Sequence, residues 1–179
     1  MIVTSGKLTG RSRELQCSIL TTYRDTLTGA ENRIGMITKL REQLELVKRR
    51  VQQCCIVLMD LDHFKDVNDR SGHLIGDQVL TGAVRHVKDH LRPYDKVFRY
   101  GGEEFLIVLS NTELQSGREI VERIRVGLSA IALSHAAGEP VFVTASFGLT
   151  LLDPEANIEE TLAAPSFRST CARELRAES

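Results

Sequence analysis

A chain of 179 residues, 42% hydrophobic and 26% charged, is long enough to bury one core and too apolar to remain unfolded. Its 23 Lys and Arg against 24 Asp and Glu leave a formal net charge of -1, which excludes the basic footprint of a nucleic-acid binder. No apolar run nears the roughly 20 residues that cross a bilayer, and the N-terminus lacks the layout of a signal peptide, so the expectation is a cytoplasmic domain with no direct membrane contact.

Residues 1–24 are polar and weakly patterned, and read as a linker or the end of a helix arriving from an upstream signalling domain. Asp25-Thr26-Leu27-Thr28-Gly29-Ala30-Glu31-Asn32-Arg33 then gathers turn and capping residues ahead of a helix. Ile34, Ile37, Leu40, Leu44, Val47 and Val51 recur at helical spacing and predict its apolar face. Cys54 to Met59 is a continuous apolar run, the mark of a strand buried on both faces. Cys17, Cys54, Cys55 and Cys171 contain no C-x-x-C spacing, so zinc ribbons and thioredoxin-type sites are excluded.

The run ends at Asp60-Leu61-Asp62. Open α/β sheets place ligands beyond the carboxyl ends of their strands, which makes Asp60 a candidate ligand. Asp62 points opposite to its neighbour Leu61 if the strand continues, and reads as structural rather than as a ligand. An EF-hand loop is excluded, because Phe64 and Lys65 stand where that loop needs Asp or Asn and then Gly. From His63 to Asp77 the chain offers backbone amides that can cradle phosphate, an amide side chain in Asn68 and a carboxylate in Asp77. The last two can read the donor and acceptor edges of guanine; a turn former and a capping carboxylate are the plainer alternatives.

A second helix is expected over about Leu74 to Leu91, with Leu80, Val84, Val87 and Leu91 on one side and Pro93 as its stop. His86 and His90 lie one helical turn apart but lack a third metal ligand nearby. Lys96–Tyr100 and Phe105–Leu109 predict the arms of a hairpin, with Gly101-Gly102 as a tight turn at positive φ and Glu103-Glu104 at its tip. Paired carboxylates there are either solvated or neutralised by a cation. If the hairpin pairs beside the first strand, Asp60 joins them, and three carboxylates suit a hard divalent ion. Magnesium in such a setting also binds phosphates, which points to phosphoryl or nucleotidyl transfer.

A third helix should turn Val121, Ile124, Leu128 and Ile131 inward, His135 to Pro140 reads as a loop, and Val141 to Leu151 as the last strand before the turn at Asp153-Pro154. The order predicts an α/β (α+β) fold in which a central mixed, mostly antiparallel sheet is flanked by helices.

In these motifs the sequence closely resembles the GGDEF family of diguanylate cyclases. Gly101-Gly102-Glu103-Glu104-Phe105 is the GGEEF form of its signature. Asp25-Thr26-Leu27-Thr28-Gly29 with Asn32-Arg33, Asp60 to Lys65, Asn68-Asp69, Gly72-His73, Gly76-Asp77, Arg99-Tyr100 and Ser146-Phe147-Gly148 match its other blocks in order and spacing, over about residues 25–162. The resemblance implies a palm-like nucleotide cyclase core with its active site on the hairpin. It implies synthesis of cyclic di-GMP from two GTP molecules across a homodimer, usually under an N-terminal sensory domain.

By position, Asp60, Glu103 and the Leu61 carbonyl would bind Mg2+ (or Mn2+), and Glu104 would assist at the metal or in deprotonation. Asn68 and Asp77 would recognise guanine, and His63, Phe64 and Lys65 would meet the phosphates. Gly102 would leave room for GTP. Arg92-Pro93-Tyr94-Asp95 has the R-x-x-D form of the family's inhibitory product site, with Arg123 completing it; a helix-end arginine and a turn aspartate are the alternative. Residues 163–179 depart from the pattern. The lysine-bearing helix, the Gly-Arg-Asn-Arg motif and the last strand are replaced by a Pro165-containing tail, which implies weaker GTP affinity and lower activity.

Overall fold

The structure is a computed structural model that describes residues 23–155. The leading segment and the atypical tail after Leu162 lie outside the described residues. In chain order the elements are α1 (Arg33–Lys48), β1 (Cys54–Leu61), α2 (Phe64–Ser71), α3 (His73–Asp89), β2 (Lys96–Arg99), β3 (Glu104–Ser110), α4 (Leu114–Ala130), β4 (Ser134–Ala136), β5 (Glu139–Val141) and β6 (Ala145–Leu151).

The expected sheet is present, in the order β2-β3-β1-β6 with every neighbouring pair antiparallel. A parallel contact comes from an isolated bridge of Glu31 to Phe98 on the outer edge of β2. Burial of β1 on both faces follows from its position inside the sheet. Cys55, Val57, Met59 and Leu61 join a core with α3 and α4 residues such as Val84, Val87, Ile124 and Leu128. Cys54, Ile56 and Leu58 join a second core with Met36 and Leu40 of α1. Among the described residues, no helix is long and apolar enough to cross a membrane.

Four local readings change. In α1 the buried residues are Gly35, Met36, Leu40 and Gln43, while Ile34 is 57% exposed and Val51 lies beyond the helix. Leu40, Leu44 and Val47 of the expected face do pack on the core, joined by Met36 and Gln43 in place of the exposed Ile34 and Ile37, so the buried stripe is shifted around the helix and not replaced. Gln43 is accommodated because its side-chain oxygen accepts from Gln52 at 2.8 Å. The stretch after β1 folds as a separate short helix, α2; Gly72, at φ 82°, then redirects the chain into α3.

The expected loop at 135–140 is the β4–β5 hairpin, turned by Ala137 at φ 50° and Gly138 at φ 89°. Its short arms divide the long final strand, so that β6 begins only at Ala145. Ile131 sits past the end of α4 and is exposed, not inward.

Candidate functional site

The β1–β3 register sets Asp60 directly opposite Glu104, and the Leu61 N–H donates to the Glu103 carbonyl at 3.4 Å. Asp60, Glu103 and Glu104 thus share one end of two adjacent strands, each half-buried. The turn that presents them differs from the two-glycine turn expected. Neither Gly101 nor Gly102 has a positive φ, and residues 100–103 form the whole connection. The N–H groups of Tyr100 and Gly101 both donate to the Glu104 carbonyl, at 2.9 and 3.1 Å. Glycine serves space here: a Cβ on Gly101 would stand 2.7 Å from Glu104 Oε2, and nothing lies within 4 Å of the corresponding position on Gly102.

A second arginine-centred set of contacts supports this loop. Arg99 Nε donates to the carbonyls of Gly101 and Gly102 at 3.3 and 3.2 Å, and Nη2 to Gly102 at 2.9 Å. Its Nη1 reaches both oxygens of Asp25 at 3.2 and 3.4 Å. Asp25 also accepts from the Thr28 N–H and hydroxyl. Burial pushes the Asp25 carboxyl upward, but these Thr28 bonds and the Arg99 charge outweigh it and hold the group below its ordinary value. The motif beginning at Asp25 is therefore fastened to the carboxylate loop. No role for this pair followed from spacing alone; an arginine directly before two glycines, and an aspartate in a turn, were the available signals.

At the end of β1 the chain reverses through His63, in the left-handed region at φ 56° and ψ 26°, and enters α2. Phe64 is buried in the core, so it offers a ligand only its backbone, while His63 and Lys65 are exposed. Asn68 packs against α3 at Gly76, where any Cβ would collide with its side-chain oxygen. The glycine before Asp77 therefore lets Asn68 pack directly on α3, with Asp77 exposed and Asn68 half-buried. Asp62 has the structural role expected of it, through its contacts and not through alternation, which would set it on the face of Asp60: its carboxylate accepts from the Thr144 and Ser146 hydroxyls, each at 2.6 Å.

Among the described residues, no group of three or more His, Cys, Asp or Glu is arranged to hold a metal ion by itself. The donors at the tip are all oxygens, two of them carboxylates on adjoining strand ends. That set fits magnesium, which typically takes one or two protein carboxylates and completes its shell with water and phosphate. His86 and His90 do not form a rival site. His86 Nε2 donates to the Ile124 carbonyl at 3.1 Å, His90 Nδ1 donates to the His86 carbonyl at 2.8 Å, and the ring centroids are 4.4 Å apart. Burial lowers the His86 pKa, in keeping with a neutral ring packed between α3 and α4.

Arg92 and Asp95 occupy one turn at the opposite end of the β2–β3 hairpin. Asp95 is 5% exposed; its oxygens accept the Arg92 N–H and the Ser110 N–H, both at 3.1 Å. Burial raises its pKa despite those bonds. The Arg92 side chain is exposed, with Nη1 3.3 Å from the Tyr94 hydroxyl, and borders a cavity of about 500 Å³ with Asn111, Thr112 and Glu113. Arg123 projects from α4 into solvent and is not among that cavity's lining residues.

The family model described as "Diguanylate cyclase, GGDEF domain" matches residues 22–165. Diguanylate cyclase DgcP of Pseudomonas aeruginosa is 37% identical over 129 residues, covering 72% of this chain and 19% of that protein. Probable diguanylate cyclase DgcC of Escherichia coli K12 is 32% identical over 152 residues, covering 85% of this chain and 40% of that protein. The chain thus spans well under half the length of these relatives.

Among solved structures, diguanylate cyclase SiaD of P. aeruginosa, crystallised with its activator SiaC, matches with a TM-score of 0.81 and 34% identity, over 90% of this chain and 62% of that one. The coiled coil and GGDEF domain of DgcB from Caulobacter crescentus, in complex with c-di-GMP, matches with a TM-score of 0.82 and 25% identity, over 90% of this chain and 85% of that one.

Proposed function

The chain belongs to the GGDEF family of diguanylate cyclases, and from that premise we propose that it joins two GTP molecules into cyclic di-GMP with release of two pyrophosphates. The observation that carries this reading is the register of Asp60 against Glu104, with Glu103 bonded through its carbonyl to Leu61. It gathers the acidic groups at one end of β1 and β3, from which the chain runs directly into α2 and α3, the helices that carry Asn68 and Asp77.

Asn68 and Asp77 bind the guanine edge of one GTP, and the backbone of His63 to Lys65 with the Lys65 ammonium meets its phosphates. The nucleotide lies over Gly102, where no side chain intrudes. Asp60, Glu103 and the Leu61 carbonyl would hold Mg2+, or Mn2+ in its place. When bound, the ion supplies Lewis-acid stabilisation of the developing phosphate charge and lowers the pKa of the attacking hydroxyl. Glu104 takes up or relays the proton leaving that 3'-hydroxyl. The oxygen attacks the α-phosphorus of a GTP held by a second copy of the domain, and the bond to the β-phosphate breaks. A homodimer supplies the mutual orientation of the two reactants. An upstream sensory segment would govern how the two domains meet, and cyclic di-GMP would feed back through the exposed Arg92 and Arg123, with Asp95 holding the turn that presents Arg92.

The test is incubation with GTP and magnesium and identification of the product by mass spectrometry. Cyclic di-GMP from the wild type and none from Glu103→Ala is the expected result; no product from either chain, at saturating GTP, overturns the reading. The absence of the phosphate-binding motif after Leu162 favours a second reading, a silent module that binds cyclic di-GMP as a sensor. In that case product binding persists without turnover.

A further inference from the structure

Asp62 lies one residue past the end of β1, and its hydrogen bonds tie the site's backbone to β6. The last ladder pair is Leu61 with Ala145. Beyond it, the Asp62 N–H donates to the Thr144 carbonyl at 2.9 Å. The two side-chain oxygens accept separate hydroxyls on either side of Ala145: Thr144 Oγ1 on Oδ2 and Ser146 Oγ on Oδ1, both at 2.6 Å. That length is the short, charge-assisted range for a hydroxyl on a carboxylate.

Packing alone would not set this spacing. A cavity of about 590 Å³ separates α2, at Val67 and Arg70, from the Pro140–Thr144 segment. The chain also turns at once into the left-handed His63, a conformation that is unfavourable for a residue with a Cβ and needs external support. The His63 side chain is 81% exposed and only 3.8 Å from Asp66, so it supplies little of that support.

We propose that Asp62 is a positioning residue: by clamping Thr144 and Ser146 it fixes the Leu61 carbonyl and the amides that open α2, the groups that meet metal and phosphate. The Leu61 backbone is then held from both sides, by the Glu103 carbonyl just ahead of β3 and by the Asp62 clamp at the start of β6. The metal and nucleotide part of this inference rests on the function proposed above; the clamp itself does not.

Two variants test it: Asp62→Asn, and the double variant Thr144→Val with Ser146→Ala, which removes the donors and keeps the carboxylate. Calorimetric binding of a non-hydrolysable GTP analogue with Mn2+ is measured beside ligand-free hydrogen exchange of a peptide covering residues 61–66. Both variants should weaken binding about tenfold, the scale on which groups that orient metal ligands act. Both should speed exchange in that peptide while thermal unfolding stays cooperative. If Asp62→Asn loses binding and the double variant binds like wild type, Asp62 is a ligand and the clamp is wrong. Wild-type binding and exchange in both variants also overturn it. If the wild type itself binds no nucleotide, the functional reading fails, and the exchange data still decide the clamp.

Discussion

Two acidic turns close opposite ends of the β2–β3 hairpin, and they are built in opposite ways. At the Gly101 end, Glu103 and Glu104 are half-buried, and the loop beneath them is held from outside by Arg99, which grips backbone carbonyls and Asp25. At the Arg92 end, the carboxylate itself is the fastening: Asp95 is buried and accepts two backbone N–H groups. The first arrangement leaves carboxylates at a solvent-facing edge to act on a ligand. The second commits its carboxylate to the fold and leaves Arg92, with Pro93 and Tyr94, outside. Residue type alone does not separate the two; what the backbone does with each carboxylate does.

The largest expected effect sharpens the first half of that contrast. Glu103→Ala should reduce cyclase turnover by about 10²–10³ or more, the scale of losing one preorganised electrostatic contact. Stability should change by no more than about 0.5 kcal/mol, as for other substitutions outside the packed core. A large fall in the melting midpoint would show that Glu103 is structural.

Arg99→Ala comes next. It leaves every acidic residue in place but frees the loop from Asp25, and a misplacement of about 1 Å can cost up to about 100-fold in rate. Turnover should fall with metal dependence retained; unchanged kcat would break the argument that the loop is held from outside.

The other end should respond in stability. Asp95→Ala strands the Arg92 and Ser110 N–H groups and should cost about 2 kcal/mol, or roughly 4–8 °C. Arg92→Ala should leave the melting midpoint nearly unchanged, because the bond to Asp95 uses the Arg92 backbone. It should weaken cyclic di-GMP binding in equilibrium dialysis. If the two variants destabilise equally, the turn depends on the guanidinium and the contrast fails.

How much of this could be read in advance depended on the range of each signal. The run from Cys54 to Met59 announced a doubly buried strand because both faces of β1 are covered. The carboxylate end was legible because strand, turn and hairpin are local patterns, each a few residues long. The buried face of α1 was legible only in part: Leu40, Leu44 and Val47 meet the core as their spacing predicts, but Met36 and Gln43 take the place of Ile34 and Ile37, because neighbouring stripes share the helical period and only the sheet chooses between them. The β4–β5 hairpin escaped notice because its arms are short and Ala137 replaces the usual Asn or Asp at a left-handed turn position. Arg99 and Asp25 lie 74 residues apart, and Asp62 is 82 and 84 residues from the hydroxyls it binds. No spacing rule links positions so distant; tertiary folding alone joins them.

The smallest predicted effect is a pair of opposed pH slopes. Asp25 has its folded pKa below the ordinary carboxylate value, so the unfolded chain binds the proton more readily between those two pKa values. Its contribution is therefore present above the ordinary value of 3.8 and is lost as pH falls through the folded pKa. Asp95 is the reverse case, because burial raises its folded pKa. The folded chain then takes the proton first, so this contribution is present below 3.8 and is lost as pH rises through the raised value. Melting midpoints between about pH 3 and pH 7 should show wild type losing its advantage over Asp25→Asn on acidification, and gaining on Asp95→Asn over the same change. Slopes of the same sign would mean that one of the two carboxylates is not held as its contacts indicate. Opposite slopes would show that Asp25 is stabilised as an anion by Arg99 and Thr28, whereas Asp95 remains buried against the preference of its charge, which is the difference between the two ends of the hairpin expressed in protons.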